Sequence, residues 1–366
     1  MKDKKKILFL GRFAPPMHGA ARMNELYFNS LKKDRDFDVK KIKLNKYEHL
    51  EDIGKINFNQ LKFFFKTMGE LINKIRIFNP EIIYIEMAPK GAAFFRDSIY
   101  ILISKIFRKK IFIQFHAKGA KETTKSRIAQ LYYKFIFKQT QIILLSEILF
   151  KDISNVAREN QIEILPNRIP DEITDKEFEQ ILKEREKNKK PILLFLSNMI
   201  ESKGPIDVLR ICNKLDKEGI DFECNFVGKF QNENFKEKFE SKIKEFNLQE
   251  KCKYLGAKYG KEKNKILEKT NYLIFPTRYP EETFGLVILE AFMFGIPVLS
   301  YDTGSISEII SKKNLGFVSK NQRWEELEKV LKKRLLKKEN ATKIREHFKK
   351  NYLLNISKQK LKRILK

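Results

Sequence analysis

Cysteine, histidine and tryptophan are scarce in this chain: 3, 4 and 1 of them in 366 residues. The three cysteines (Cys212, Cys224, Cys252) make an odd count, and their wide spacing fits neither a zinc ligand set nor a disulfide framework. Reduced thiols in a reducing compartment are expected. Long apolar runs are lacking too. No stretch approaches the roughly 18 uncharged apolar residues of a membrane span. The run behind the basic first six residues, Ile7 to Leu10, is far shorter than a secretory core, so no leader is expected. Acidic residues are outnumbered, 47 Asp and Glu against 75 Lys and Arg, for a formal charge of +28. With 42% hydrophobic residues and 31 Phe the chain is nonetheless globular, and its length suits two domains better than one. These absences exclude a secreted disulfide scaffold, an integral membrane protein and a disordered chain.

The positive charge is uneven. Residues 53–151 hold 18 Lys and Arg against 6 Asp and Glu, and residues 343–366 hold 9 basic residues and one acid. A composition rich in Lys, Ile and Asn throughout accounts for part of the excess. In residues 61–66 and 131–138, however, cations alternate with Phe and Tyr as they do on interfacial helices. That pattern predicts an anionic membrane surface as a partner of the first half. A nucleic-acid binder is the rival that charge alone suggests, but no nucleic-acid recognition motif accompanies it.

Periodicity predicts repeated strand–helix units. Short apolar runs at residues 6–10, 39–44, 82–85, 110–115 and 141–145 read as strands, with helical spacing between them. The pattern restarts with runs at 192–196, 221–227, 253–255, 272–275 and 297–300. The expected class is α/β, two Rossmann-like doubly wound domains facing each other across a cleft, with ligands at the carboxyl ends of the strands. The expected division is a first domain over 1–175, a charged linker over 176–190 and a second domain over 191–340. A basic C-terminal helix over 341–366 is expected to pack back on the first domain.

The most informative stretch runs from Phe275 to Ser300. A strand ends at Pro276, a polar loop follows, and a helix starts near Phe284 and Gly285 and closes at Gly295. Free amides and a partial positive charge of roughly half a unit at such a start suit a diphosphate. Glycine at 285 allows close backbone approach. Glu282 precedes the helix and Glu290 lies within it, so two carboxylates face one extended ligand at separate points. Vicinal hydroxyls of a sugar and of a ribose are good partners for them.

Glu282-x7-Glu290, with Phe284-Gly285-Leu286 between and Gly295-Ile296-Pro297-Val298 after, resembles the E-x7-E motif of retaining glycosyltransferases of family 4, which have the GT-B fold. The resemblance covers most of the chain. Gly11 to Ala20 resembles the family's first loop, Phe115-His116 its strand-end histidine, Leu145-Ser146 and Leu165-Pro166-Asn167 the end of its first domain. Phe195 to Gly204, with Lys203, resembles the opening of its second domain, Val227-Gly228 that domain's second strand, and Gly304 to Glu308 a later loop. It implies a glycosyltransferase moving a sugar from a nucleotide-diphosphate sugar to a glycan or lipid-linked acceptor, with retention and front-face attack. The setting implied is bacterial surface polysaccharide or glycolipid synthesis, in the cytoplasm or on the inner membrane face. A nucleotide-sugar epimerase or phosphorylase on the same fold is the alternative within this architecture. A non-catalytic partner is another.

By the resemblance Glu290 binds ribose, Glu282 the donor-sugar hydroxyls and Lys203 the pyrophosphate, with Glu282, His116 and Lys203 the catalytic set. Gly19, Ala20, His18, Asn198, Thr283, Phe284, Gly285 and Leu286 complete the substrate contacts. His116 is expected at the donor sugar and His18 at the acceptor, while His49 and His347 read as surface residues. Two departures stand out. Ser197-Asn198 replaces the family's Gly-Arg, which removes a phosphate-binding cation that Arg12, Arg22 or Arg278 would have to replace. Gly19-Ala20 replaces Gly-Gly, which alanine tolerates if φ is negative. The Asp34-x-Asp36-x-Asp38 run reads as a solvated turn, and neither a metal nor a cofactor is expected.

Overall fold

The computed structural model describes residues 4–15, 18–45, 58–337 and 339–366. Pro16 and Met17 of the first loop, and His49, lie outside them. The chain divides into two compact units: Met1–Asn167 with Asn355–Lys366, and Arg168–Leu354.

The first unit is built on β1 (Lys5–Gly11), β2 (Phe37–Lys43), β3 (Ile82–Glu86), β4 (Lys110–Gln114), β5 (Gln141–Leu144) and β6 (Ile162–Ile164). All pair in parallel, in the order β2-β1-β3-β4-β5-β6. The second unit holds β7 (Ile192–Leu196), β8 (Glu223–Val227), β9 (Cys252–Tyr254), β10 (Tyr272–Phe275), β11 (Val298–Tyr301) and β12 (Gly316–Ser319). These pair in parallel as β12-β11-β10-β7-β8-β9. Continuous apolar strands follow from burial on both faces, and Ile7 to Leu10 and Leu193 to Phe195 are fully buried. Each sheet reverses direction once, at β1/β3 and at β7/β10, where ligands of doubly wound sheets bind.

The charged stretch expected as a linker is a helix of the second unit, Asp175–Lys187. Thr174 and Glu177 form a capping box at its start. Phe178, Ile181 and Arg185 line one buried face at helical spacing. Arg185 is buried because its guanidinium donates to three carbonyls, those of Leu267 (2.8 Å), Glu268 (2.7 Å) and Phe294 (2.9 Å). The high charge density concealed a narrow apolar stripe.

The basic C-terminal segment is two helices, Ala341–Asn351 and Leu354–Leu365, and residues from Asn355 onward group with the first unit. Lys362 pairs with Asp34 and Asp36, both at 2.9 Å, and Lys366 pairs with Asp36 at 2.6 Å. The acidic turn between the helix Gly19–Lys33 and β2 is therefore a clasp for the helix Leu354–Leu365. His347, expected at the surface, is half-buried with its ring 6.2 Å from Phe292 and 5.7 Å from Tyr352.

The three cysteines, far apart in sequence, converge. Cys212 comes from the helix Pro205–Lys217, and Cys224 and Cys252 are register partners across β8 and β9. Their sulfurs lie within 4.8 Å of one another in the second unit's core. Among the described residues no fourth histidine, cysteine or carboxylate joins them. Burial pushes the Cys212 and Cys224 thiols up, so they pack as small apolar groups. An aromatic disulfide reagent should leave both unlabelled in the native protein and label all three on unfolding in urea. Rapid native labelling of Cys212 or Cys224 would contradict this core.

Candidate functional site

The site in the second unit is assembled at the β7/β10 reversal. After β7 the chain makes a 3₁₀ turn, Glu201–Lys203, and Gly204 then opens the helix Pro205–Lys217 at φ 83°. A Cβ on Gly204 would stand 2.3 Å from the Pro276 carbonyl oxygen. Only glycine lets this turn lie against the end of β10. Lys203 is delivered to the loop after β10 as a result, and its ammonium ion-pairs with Glu282. It also lies over the ring of Tyr279 at 4.6 Å and of Phe275 at 5.6 Å. The Lys203 and Glu282 side chains are 14% and 12% exposed, little enough to be held and enough to be reached.

The loop carrying Glu282 is fixed from the other side. Gly304, at φ 60°, would place a Cβ 2.5 Å from the Glu282 carbonyl oxygen and 2.7 Å from that of Thr283. The Ser305 amide donates to the Thr283 oxygen at 2.8 Å. Thr283 and Phe284 are buried, so what they offer a ligand is backbone. Gly285 caps the helix Leu286–Met293 at φ 72°, and a Cβ there would lie 3.1 Å from Phe275, the ring beneath Lys203. The helix ends in a Schellman turn: Ile296 N–H reaches the Ala291 oxygen (2.9 Å) and Gly295 N–H the Phe292 oxygen (3.0 Å).

Glu290 lies inside this helix, its side chain 5% exposed, and accepts from Lys263 Nζ at 2.6 Å. Lys263, on the helix Gly260–Lys269, was not anticipated, because a lysine in a lysine-rich segment carries no signal of its own. The Lys203–Glu282 pair thus precedes the helix start, and the Lys263–Glu290 pair lies within the helix. Asn198 is half-buried just beyond β7, and its carbonyl oxygen accepts from Ile200 N–H at 2.9 Å.

Two of the arginines considered as replacements for the missing cation are committed elsewhere. Arg278 ion-pairs with Asp207 at 2.5 Å and its guanidinium stacks 4.3 Å from Tyr301, whose hydroxyl also donates to Asp207 at 2.8 Å. Arg12 belongs to the first unit's cluster. Arg22 is half-buried on the helix Gly19–Lys33.

The first unit gathers a second polar cluster at its own reversal, where Arg12 follows β1, Glu86 ends β3 and His116 follows β4. Arg12 reaches Glu86 at 2.7 Å and Asp97 at 3.1 Å, and Asn24 donates to Glu86 at 2.7 Å. Glu86 and Asp97 were missed. Glu86 closes the otherwise apolar interior strand β3 at its carboxyl end, and that position was the signal available. His18 caps the helix Gly19–Lys33, its Nδ1 accepting from Ala21 N–H at 3.2 Å, which places any proton on Nε2. Gly19 and Ala20 take no positive φ, so alanine at 20 carries no strain.

The electrostatics of this cluster are specific. Burial opposes ionisation of Glu86, but Arg12, His116, a bond from the Arg12 amide and His18 outweigh it and hold the carboxyl at about 2. Desolvation lowers His116 to about 4; Glu86 opposes the shift, while His18 and Arg12 add to it. His18 is lowered in the same sense, first by desolvation. Both imidazoles are therefore neutral at pH 7.

Linkage gives this cluster a sign. The unfolded chain protonates His116 near 6.5 and the folded chain only near 4, so its contribution to stability is complete above pH 6.5 and is lost as pH falls toward 4. Glu86 adds a further loss from about 4.5 down to about 2. Urea unfolding followed across pH should show the free energy falling between pH 6.5 and 4, and His116→Gln should flatten that segment. An unchanged slope in the variant would contradict the assignment.

Residues 176–351 match the model of the family described as glycosyl transferases group 1. A Klebsiella pneumoniae protein described as an uncharacterized 41.2 kDa protein in the cps region is 27% identical over 222 residues, 60% of this chain. Those residues are 54% of that protein, so the match spans about half the length of this curated relative. Among solved structures, a glycosyltransferase from Rickettsia africae has a TM-score of 0.79 at 18% identity, over 99% of this chain and 98% of that one. Anabaena HepE in complex with UDP and glucose has a TM-score of 0.74 at 14% identity, over 99% of each chain. Sucrose-phosphate synthase from Thermosynechococcus elongatus has 0.73 at 13%, over 99% and 98%. The chain has the two-domain α/β fold of these structures, and its second half is similar to the group 1 glycosyl transferases.

Proposed function

We propose that the chain is a retaining glycosyltransferase of the family 4 type, moving a sugar from a nucleoside-diphosphate donor to a glycan or lipid-linked acceptor on the cytoplasmic face of the membrane. The observation that carries this reading is the Lys203–Glu282 ion pair at the β7/β10 reversal, beside the start of the helix that buries Glu290. The cps-region relative supports a role in surface polysaccharide synthesis, and HepE with UDP and glucose supports a nucleotide-sugar donor.

In this reading the donor diphosphate takes the place of Glu282 as the partner of Lys203 and sits at the helix start. Cleavage of the sugar–phosphate bond leaves negative charge on that diphosphate, and the ammonium with the amides at Gly285 and Leu286 stabilises it as it forms. No metal is needed for that task. Glu282, once released, accepts from donor-sugar hydroxyls. Glu290 accepts from the ribose, held ready by Lys263. Asn198 supplies a neutral hydrogen bond where relatives of this type carry a guanidinium. His116 is assigned to a sugar hydroxyl and His18 to the acceptor, both as neutral imidazoles. Attack occurs on the face the phosphate leaves, and a phosphate oxygen takes the acceptor proton.

A thermal-shift panel of UDP-, GDP- and ADP-sugars tests the donor site. One nucleotide should stabilise the wild type, by about 2.7 kcal/mol at a hundred times its Kd, and the effect should vanish in Glu290→Ala. Stabilisation by none of the three sinks the reading. Lys203→Met should cost about 2–4 kcal/mol in kcat/KM with the identified donor, and a chelator should leave the wild-type rate unchanged. A rate abolished by chelator and restored by a divalent ion would overturn the metal-free form of the mechanism.

A further inference from the structure

Three helices of the first unit, Phe58–Phe78, Gly91–Ile106 and Arg127–Phe137, each carry a second apolar stripe on the side away from the sheet. On the first helix Phe58, Leu61 and Phe65 are 80%, 50% and 54% exposed; on the third Ile128, Leu131 and Phe135 are 83%, 67% and 57% exposed. Both triplets have the spacing i, i+3, i+7, one face of a helix over two turns. The inward stripes are separate: Leu71, Ile75 and Phe78 on the first, Tyr133, Ile136 and Phe137 on the third. On the middle helix Phe95 and Ile106 are exposed and share a face with the half-buried Ile99 and Leu102.

The stripes form one surface. Phe64 makes tilted ring contacts with Phe65 (5.4 Å) and with the buried Tyr100 of the middle helix (5.7 Å), and Phe95 meets Tyr132 of the third at 5.5 Å. Lys105 lies over Phe135 at 5.4 Å. Large apolar surfaces of this kind on a monomer mark an interaction site. Its cations identify the partner. The three helices hold Lys62, Lys66, Lys74, Arg76, Arg96, Lys105, Arg127 and Lys134 against two acids, Glu70 and Asp97, and Asp97 is buried in ion pairs with Arg12 and Arg96.

We propose that this face docks flat on an anionic lipid bilayer, with the apolar stripes entering the interfacial region and the lysines and arginines meeting lipid phosphates. No described helix is long and apolar enough to cross a membrane, so the contact is peripheral. A second copy of this chain is a poorer occupant, because a two-fold contact would set basic face against basic face. A nucleic acid would satisfy the cations but leave Ile128, Leu131 and Ile106 without a role. The proposal deepens the membrane-side setting given above but stands on the surface alone, without reference to the donor site.

The test is flotation of the full-length protein with vesicles of phosphatidylcholine alone and of phosphatidylcholine with phosphatidylglycerol. Two variants separate the contributions: Ile128→Ser/Leu131→Ser/Phe135→Ser, and Lys62→Gln/Lys66→Gln/Lys134→Gln. The wild type should partition to the anionic vesicles only. The charge variant should lose roughly a hundredfold in partition, and the apolar variant should lose the fraction that survives high salt. Both should keep the wild-type melting profile and donor-induced thermal shift, which separates a failed membrane face from a failed donor site. Equal partition to both vesicle types overturns the proposal. So does an apolar variant that floats like the wild type, a dimer in solution that the apolar variant converts to monomer, or preferential retention on single-stranded nucleic acid.

Discussion

A lysine and a glutamate from distant parts of the chain meet at the reversal of the second sheet, and the geometry of that meeting organises the site around it. Lys203 and Glu282 are 79 positions apart. They come together because β7 and β10 are neighbours, because Gly204 lets the turn after β7 lie on Pro276, and because Gly304 locks the loop after β10. Three glycines, at 204, 285 and 304, hold left-handed conformations where a Cβ would crowd its neighbours. The strain that other residues would meet there is the cost of bringing a cation, a carboxylate and a helix start to one place.

The ion pair also sets the resting state. A lysine paired with a carboxylate is held in position, and the proposed diphosphate would offer it more charge than the glutamate does. The Lys263–Glu290 pair applies the same device within the helix itself. The first unit takes a different course at its own reversal: Arg12 is saturated by Glu86 and Asp97, and the histidines nearby stay neutral.

Much of the architecture was legible in the sequence because parallel strands buried on both faces are short unbroken apolar runs. Two strands were not: β6 (Ile-Glu-Ile) and β12 (Gly-Phe-Val-Ser) lie at sheet edges, are partly exposed, and interrupt the apolar run with a charged or small polar residue. The helix Asp175–Lys187 read as a linker because three inward residues among thirteen are a weak signal against dense charge. Within the site, Glu282, Gly285 and Glu290 were visible as a spaced motif on one segment. Lys263, Glu86 and Asp97 were not, since each acts through a partner that only the fold brings near.

The departure at Asn198 narrows what the second unit can use as a cation. With Arg278 held by Asp207 and Arg12 by the first unit's acids, Lys203 is the cation on which the proposed diphosphate site rests. Calorimetric titration of the bare nucleoside diphosphate into wild type, Lys203→Met and Glu282→Gln measures this most directly. Loss of the lysine should weaken binding, while removal of the competing carboxylate should tighten it by about tenfold, since one negative charge leaves the neighbourhood of the phosphates. Weaker or unchanged binding in Glu282→Gln would contradict the exchange of partners at Lys203.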